Sequence, residues 1–227
     1  MGKMIELTAS DGHKLAAYRA DPVGTNAGKP RGAIVVIQEI FGVNSHIKSV
    51  ADGYAKDGYL VIAPAMFDRA QRGYDTGYSQ PEIQAGIAIM QKLDWKKIML
   101  DVQAAVAEAK KAGKAGIVGY CWGGTVSWVA AARLAGLACA APYYGGGMPG
   151  FIGEKPMIPV MCHFGEQDQS PTLEQSKAIA KAHPEITAHF YPGAGHGFNC
   201  DQRGSYNAAA SKQARERTVE FFRKHIG

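Results

Sequence analysis

Short apolar runs alternate with amphipathic helical segments along almost the whole chain, and this alternation constrains the fold more than any other feature of the sequence. Runs such as Ala33-Ile34-Val35-Val36-Ile37 are continuously apolar and β-branched, as in strands that are buried on both faces. Strands that alternate with helices predict βαβ units, and therefore a mostly parallel sheet that is covered by helices on both sides. The predicted fold class is α/β.

The predicted elements follow one another without a linker or an internal repeat. Strands at residues 5–9 and 14–18 flank the turn Ser10-Asp11-Gly12-His13 and predict an antiparallel hairpin at the N-terminus. The later strands are predicted at residues 33–37, 59–63, 115–119, 138–142, 160–164 and 187–191. The helices are predicted at residues 45–56, 95–111, 124–134, 173–182 and 208–225. We therefore expect one domain over residues 1–227.

Composition and charge exclude several functional classes. The 227 residues are 46% hydrophobic and 20% charged, which suits a packed core and argues against disorder or a coiled-coil rod. The formal net charge is +5, but the basic pairs Lys96-Lys97 and Lys110-Lys111 are interpreted as solvated helix faces because no longer basic block occurs. We expect no nucleic-acid partner, and only a mild attraction for anionic small molecules.

The cysteines and the N-terminal residues indicate the state of the thiols, the absence of a metal site and the expected location of the protein. Cys121, Cys139, Cys162 and Cys200 form no C-x-x-C pair, and the histidines lack metal-ligand spacing, so we expect reduced thiols and no metal. All of these cysteines except Cys121 are expected to be inert. The N-terminal residues lack the apolar run of a signal peptide, and no stretch approaches the roughly 18 apolar residues of a membrane span. A cytoplasmic location without membrane attachment is expected.

One strand end carries a candidate nucleophile. The strand at residues 115–119 runs into Gly119-Tyr120-Cys121-Trp122-Gly123, which has the spacing of the G-x-S-x-G nucleophile elbow with cysteine in place of serine. Such a turn needs small residues on both sides of a strained nucleophile. The helix that follows would direct its first amides at the site and favour a thiolate. Cys121 is the predicted nucleophile, and a small buried residue in a glycine turn is the alternative.

Two later strand ends supply an acid and a histidine. Asp168 follows the strand at residues 160–164, and His196 lies in a glycine-rich loop after the strand at residues 187–191. Nucleophile, acid and histidine then occur in the chain order of an α/β-hydrolase triad. His196 would act on Cys121 while Asp168 orients its ring, and Glu166 is the competing acid.

The residues after the strand at 33–37 are the remaining candidates. The amides of Ile40 and Trp122 are expected to form an oxyanion hole. Glu39 stands beside them in an apolar context, where an unpaired buried carboxylate is costly, and an exposed loop glutamate is the alternative. The polar residues 67–80 are expected to border the site, whereas residues 87–90 and Trp95 are expected to pack in the core.

Three motifs together resemble the dienelactone hydrolase (carboxymethylenebutenolidase) family of the α/β-hydrolases. They are residues 38–44 (QEIFGVN), 119–124 (GYCWGG) and 193–198 (GAGHGF), and the resemblance covers nearly the whole chain. It implies a monomer that opens an enol-lactone without a cofactor, by a triad of Cys121, His196 and Asp168. It also implies that the resting thiol contacts Glu39 until substrate binding turns the sulfur towards the histidine.

The chain departs from the family at the residues that bind a substrate carboxylate. In the dienelactone-specific members, serine follows the histidine and an arginine comes a few residues later, whereas Gly197 and Cys200 stand at those places here. The family's other arginine and tyrosine have no counterpart in residues 81–93. The substrate-binding candidates are Arg69, Tyr74, Phe198 and Arg203, of which Arg203 could compensate for the arginine that Cys200 replaces.

These residues favour hydrolysis of an enol-lactone or a related activated ester. A thiolate attacks and leaves readily, which suits activated esters and strained lactones better than amides. One alternative is a broad-specificity thiol esterase or thioesterase. Another is a redox-sensing or non-catalytic binding module with an oxidised or idle Cys121, against which Asp168 and His196 argue because an idle site needs no oriented base.

Overall fold

The protein is described here by a computed structural model that covers residues 2–227. Its eight strands form one sheet in the order β1-β2-β4-β3-β5-β6-β7-β8. The strands are β1 (Lys3–Thr8), β2 (Lys14–Ala20), β3 (Ala33–Ile37), β4 (Leu60–Pro64), β5 (Ala115–Tyr120), β6 (Leu137–Tyr143), β7 (Met161–Gly165) and β8 (Thr187–Tyr191). β1 and β2 form an antiparallel hairpin, β2 also pairs antiparallel with β4, and β3 to β8 run parallel. The predicted mostly parallel sheet with an N-terminal hairpin is confirmed.

Six helices cover the two faces of this sheet. They are α1 (Ser45–Lys56), α2 (Gln80–Met90), α3 (Trp95–Ala109), α4 (Trp122–Arg133), α5 (Leu173–Ala182) and α6 (Ala208–Ile226). β3 shows how one strand serves both faces, since Val35 and Ile37 pack into the core beneath α3 and α4, whereas Ile34 and Val36 pack into the core beneath α1 and α6. All four side chains are fully buried, which explains why the strand is continuously apolar.

The structure differs from the predicted boundaries at a few element ends. α4 begins at Trp122, two residues earlier than predicted, because Cys121 serves as its N-cap. The helix predicted at 95–111 ends as α-helix at Ala109 and continues as a 3-10 turn over Lys110–Ala112. α2 was not predicted from the sequence pattern, although Ser79 and Glu82 form a capping box at its start.

No helix within residues 2–227 is long and apolar enough to cross a membrane.

Candidate active site

Cys121 lies in a strained turn between β5 and α4. Its backbone has φ 56° and ψ −121°, in the left-handed region that L-residues rarely adopt. A side-chain carbon on Gly119 would collide with the carbonyl of Gly123, and one on Gly123 would collide with the carbonyls of Ile37 and Gln38. The two glycines therefore allow the sharp turn and let the end of β3 approach the sulfur-bearing residue.

A continuous chain of polar contacts leads from Cys121 to a buried carboxylate. The Sγ atom of Cys121 lies 3.0 Å from Nε2 of His196, and Nδ1 of His196 lies 3.0 Å from Oδ2 of Asp168. Asp168 also accepts a hydrogen bond of 2.7 Å from the amide of Ser170, which holds the carboxylate in place. Only 1% of the Asp168 side chain is exposed, whereas the competing acid, Glu166, is exposed.

The charge of His196 depends on its two neighbours. Burial alone would lower the pKa of His196, but the negative charge at Cys121 and the hydrogen bond with Asp168 outweigh it, and the pKa is raised well above its ordinary value. The ring also meets the edge of Tyr144, at a centroid distance of 5.3 Å. An imidazolium beside a thiolate is the arrangement that activates a cysteine nucleophile.

The segment after β3 brings two buried polar side chains to the same edge of the sheet. Gln38 accepts from the amide of Met66 and donates to the carbonyl of Glu39, at 3.1 and 3.2 Å. Glu39 is fully buried and accepts from Nη1 of Arg203 through Oε1, at 3.3 Å. The exposed loop glutamate that stood as the alternative at position 39 is therefore excluded.

Arg203 reaches Glu39 past a glycine. Gly197 has φ 76°, and a side-chain carbon there would lie 2.5 Å from Nη1 of Arg203. The guanidinium is also placed over the rings of Phe41 and Tyr78, at 5.4 and 5.7 Å from their centroids. Gly197, which departs from the serine of the dienelactone-specific pattern, thus makes room for an arginine from further along the loop.

The two residues expected to form an oxyanion hole also lie beside this region. They are Ile40 and Trp122, and both line the cavity that contains Cys121. Trp122 is the first residue of α4, so its amide has no acceptor within its own helix. The positive end of the helix dipole lies at the same point.

The site opens into a large, mainly apolar cavity of about 640 Å³. Cys121, Asp168, His196 and Arg203 lie on its polar side. Its apolar wall is formed largely by α2 and the start of α3, through Ile83, Ile87, Met90, Leu93, Trp95 and Ile98. Ile87, Met90 and Trp95 pack against the core, as expected, and also line the cavity. Their cavity-facing role was not predicted, because no sequence pattern indicated α2.

Only one of the four candidate substrate-binding residues lines this cavity. Arg203 does, whereas Arg69, Tyr74 and Phe198 do not. Arg69 is engaged by Asp101, with contacts of 2.7 and 2.8 Å, and by Asp11. Tyr74 packs against Phe67, and Phe198 is fully buried against aromatic side chains that include Tyr144. The side chains of these three residues take part in ion pairs or in packing outside the cavity, and substrate binding by them stays a prediction.

The three other thiols are buried. Burial raises the pKa of Cys139 to about 12, and burial together with the charge of Glu39 raises the pKa of Cys200 to about 11. Burial likewise raises the pKa of Cys162. Within residues 2–227, one group of side chains is arranged so that it could hold a metal ion, and it consists of Glu39, His46 and Cys200.

Comparisons with known proteins all point to one family. A sequence profile described as the dienelactone hydrolase family matches residues 15–226. A Synechocystis protein that is provisionally named a carboxymethylenebutenolidase is 33% identical over 232 residues, covering 94% of this chain and 93% of its own. A Methylorubrum extorquens protein with the same provisional name is 34% identical, with 97% and 80% covered. A crystal structure from Klebsiella pneumoniae, provisionally named a dienelactone hydrolase, has a TM-score of 0.83 at 27% identity and covers 99% of this chain and 100% of its own.

Proposed function

The chain belongs to the dienelactone hydrolase family and is a carboxylic ester hydrolase, and from that premise we propose that it opens an enol-lactone or a related activated ester with Cys121, His196 and Asp168 as a catalytic triad. The observation that carries the proposal is the continuous series of contacts from the Cys121 sulfur through both ring nitrogens of His196 to Asp168. This geometry lets one imidazole take a proton from the sulfur and return it later to the substrate oxygen.

The reaction follows from these positions. Nε2 of His196 takes the thiol proton, and Asp168 stabilises the imidazolium that results. The thiolate attacks the carbonyl carbon, and the amides of Ile40 and Trp122 bind the oxyanion. The C–O ester bond then breaks, the leaving enolate or alkoxide takes the proton from His196, and a thioester remains on Cys121. Water, deprotonated by His196, attacks the thioester and releases the carboxylic acid and the thiol.

We also propose that Glu39 and Arg203 couple substrate binding to activation of the sulfur. The sulfur in this structure contacts His196, which is the engaged arrangement that the family resemblance implies, while Glu39 contacts Arg203. In the resting enzyme the thiol turns towards Glu39 instead. A carboxylate on the substrate then replaces Glu39 as the partner of Arg203, and the sulfur turns back to His196, which takes its proton.

The cavity indicates the class of substrate. Apart from the proposed triad, the charged side chain among its lining residues is Arg203, and its largest wall is apolar, so a substrate with an acidic group at one end and an apolar body at the other fits both. The family resemblance further predicts that the protein acts on such a small molecule as a monomer and without a cofactor.

A broad-specificity thiol esterase is the second candidate, and the size of the cavity favours it. A volume of about 640 Å³ lies within the range of about 300 to 1,000 Å³ that is typical for drug-sized ligands, which are larger than a bare dienelactone. Esters with long or aromatic acyl groups would then be turned over as well as lactones.

Turnover of an activated aryl ester tests the proposal. Wild-type protein should hydrolyse it, whereas Cys121→Ala and iodoacetamide-treated protein should not. Burst kinetics with a chromogenic leaving group would reveal the thioester. A panel of lactones and esters with and without a carboxylate then separates the two candidates. Full activity in Cys121→Ala would contradict the proposal.

A further inference from the structure

Three buried side chains converge on one point beside the proposed catalytic residues. They are Glu39 from the segment after β3, His46 from the first turn of α1 and Cys200 from the loop between β8 and α6, and each is at most 3% exposed. One ligand atom from each residue lies within 4.8 Å of the others. Segments that are far apart in sequence thus place a carboxylate, an imidazole and a thiol together, away from water.

Two atoms in this cluster have no partner among the residues that the structure describes. They are Oε2 of Glu39 and Nε2 of His46, both completely buried. A buried carboxylate oxygen or imidazole nitrogen without a partner is costly, because neither protein nor bulk water replaces its hydration. The bond to Arg203 uses the other oxygen of Glu39, so it leaves Oε2 unsatisfied.

The surroundings of His46 leave one of its nitrogens available as a ligand. Nδ1 of His46 lies 3.3 Å from the carboxylate of Asp201, and a proton held on that nitrogen leaves the lone pair of Nε2 free inside the cluster. Metal-binding histidines commonly have such a carboxylate partner. Burial and the charge of Glu39 raise the pKa of Cys200 to about 11, so the bound ion has to displace the thiol proton, and binding should release one proton to solvent.

We propose that Oε2 of Glu39, Nε2 of His46 and Sγ of Cys200 bind a thiophilic divalent cation of the zinc class. Zinc takes oxygen, nitrogen and thiolate ligands with bonds of about 2.0 to 2.3 Å, which place tetrahedral ligand atoms about 3.5 Å apart. The widest separation in the cluster therefore has to close by only about 1.3 Å. A solvent molecule would complete the fourth position. The inference goes beyond the proposed hydrolysis, and because the ion would occupy Oε2 of Glu39, it would exclude the contact of the resting Cys121 thiol with that oxygen.

Charge supports a divalent ion at this point. A carboxylate and a thiolate together neutralise one divalent cation, and the neutral imidazole adds no further charge. The positive charge of Arg203 repels the ion. Arg203 donates to Oε1 of Glu39, however, and leaves Oε2 for the ion, so the same carboxylate can bind both. A trapped water molecule is the competing occupant, because it could donate to Glu39 and His46. A water, however, gives no role to the thiol.

Cobalt titration of the full-length, metal-free protein tests the site. Co²⁺ replaces zinc with the same ligands, and a thiolate ligand gives it an intense charge-transfer absorption band. The titration is made in a Cys121→Ala background, because Cys121 and His196 form another thiol–imidazole pair. The expected result is one equivalent of Co²⁺ bound with the charge-transfer band, and displacement by one equivalent of Zn²⁺.

Variants of the two new ligands identify the site. Cys200→Ser should abolish the band, and His46→Gln should weaken cobalt binding by at least about 100-fold. Asp201→Asn should weaken it by about 10- to 100-fold. Cys162→Ser, a matched change at another buried cysteine, should leave the titration unchanged. No band in the Cys121→Ala protein, a band that survives Cys200→Ser, or a crystal soaked with zinc that shows only water between the three side chains would overturn the proposal.

Discussion

Nη1 of Arg203 lies 3.3 Å from Oε1 of Glu39, and the two side chains are 16% and 0% exposed. The pair joins residues that are 164 positions apart, at the polar end of the cavity. A buried ion pair of this kind is sensitive to the loss of one partner, because the other charge is then left uncompensated. An incoming carboxylate can take over the place of Glu39 at Arg203, and Glu39 is then the group that loses its partner.

Arg203→Gln should therefore lower the preference for acidic substrates. We expect kcat/KM for a carboxylate-bearing ester to fall by about 10- to 100-fold, as for the loss of a charge-assisted hydrogen bond, while a neutral ester of the same size changes little. Arg72→Gln is the matched control, because Arg72 is 59% exposed and lies outside the cavity wall. Equal losses for both esters would mean that Arg203 is structural.

Glu39→Gln tests the other side of this pair. The substitution keeps the size of the side chain, so the fold should be kept, but it leaves Arg203 without its charged partner, so we expect the melting temperature to fall. Turnover should fall, because a neutral amide cannot pair with Arg203, or hold the resting thiol, as a carboxylate does. Comparing the rate of iodoacetamide inactivation with and without a non-hydrolysable lactone analogue shows whether substrate binding exposes a reactive thiolate. An unchanged inactivation profile together with unchanged turnover would leave Glu39 without a catalytic role.

Cys121 should be the most reactive of the four thiols. It is partly exposed and contacts His196, whereas burial raises the pKa of Cys139, Cys162 and Cys200. Brief alkylation at neutral pH, followed by peptide mapping, should find the label almost entirely on Cys121, in step with the loss of activity. Loss of activity with the label on another cysteine would reject Cys121 as the nucleophile.

His196 and Asp168 should behave as one unit. His196→Ala should lower kcat by several orders of magnitude. Asp168→Asn should lower kcat much less in the His196→Ala variant than in the wild type, because the carboxylate acts only through the imidazole. The exposed Glu166 provides the control, and Glu166→Gln should be nearly silent. Multiplicative losses in the double variant would show that Asp168 acts independently of His196.

The apolar wall should set the preference for the size of the substrate. Activity on aryl esters should rise with the length of the acyl chain until the cavity of about 640 Å³ is filled. Ile87→Asp should raise KM for the longer esters by about 10-fold or more through the cost of a charge in an apolar wall, and should leave the acetate ester nearly unchanged. If Ile87→Asp raises KM equally for the acetate ester and the long-chain esters, the acyl chain does not contact this wall.

His163 should make the protein less stable in acid. It is fully buried between the Tyr191 and Thr218 hydroxyls, at 2.7 and 2.9 Å, and burial lowers its pKa well below the ordinary value. The unfolded chain binds the proton below about pH 6.5 while the folded protein does not, so the free energy of unfolding should fall with decreasing pH by up to about 1.4 kcal/mol per unit. Urea denaturation at several pH values between 7 and 5 measures this change in the free energy of unfolding. His163→Gln should flatten this slope, and an identical slope in the variant would disprove the assignment.

The sequence alone determined the sheet, the hairpin and the position of Cys121. These features depend on local patterns, since β-branched runs, turn residues and the spacing of Gly119 and Gly123 act within a few residues of each other. The places of Asp168 and His196 in the chain were also informative. Each follows a parallel strand, and the carboxyl ends of parallel strands lie at the same edge of the sheet.

Only the tertiary structure decided which long side chains enter the cavity. Arg69 and Arg203 are equally plausible in sequence, but Arg69 is held by Asp101, whereas Gly197 lets Arg203 reach Glu39. The side chains of α2 likewise face the cavity because of where the helix packs. An arginine has four rotatable side-chain bonds and reaches in many directions, so its partner is chosen by residues brought close through folding. No local pattern in the sequence carries that information.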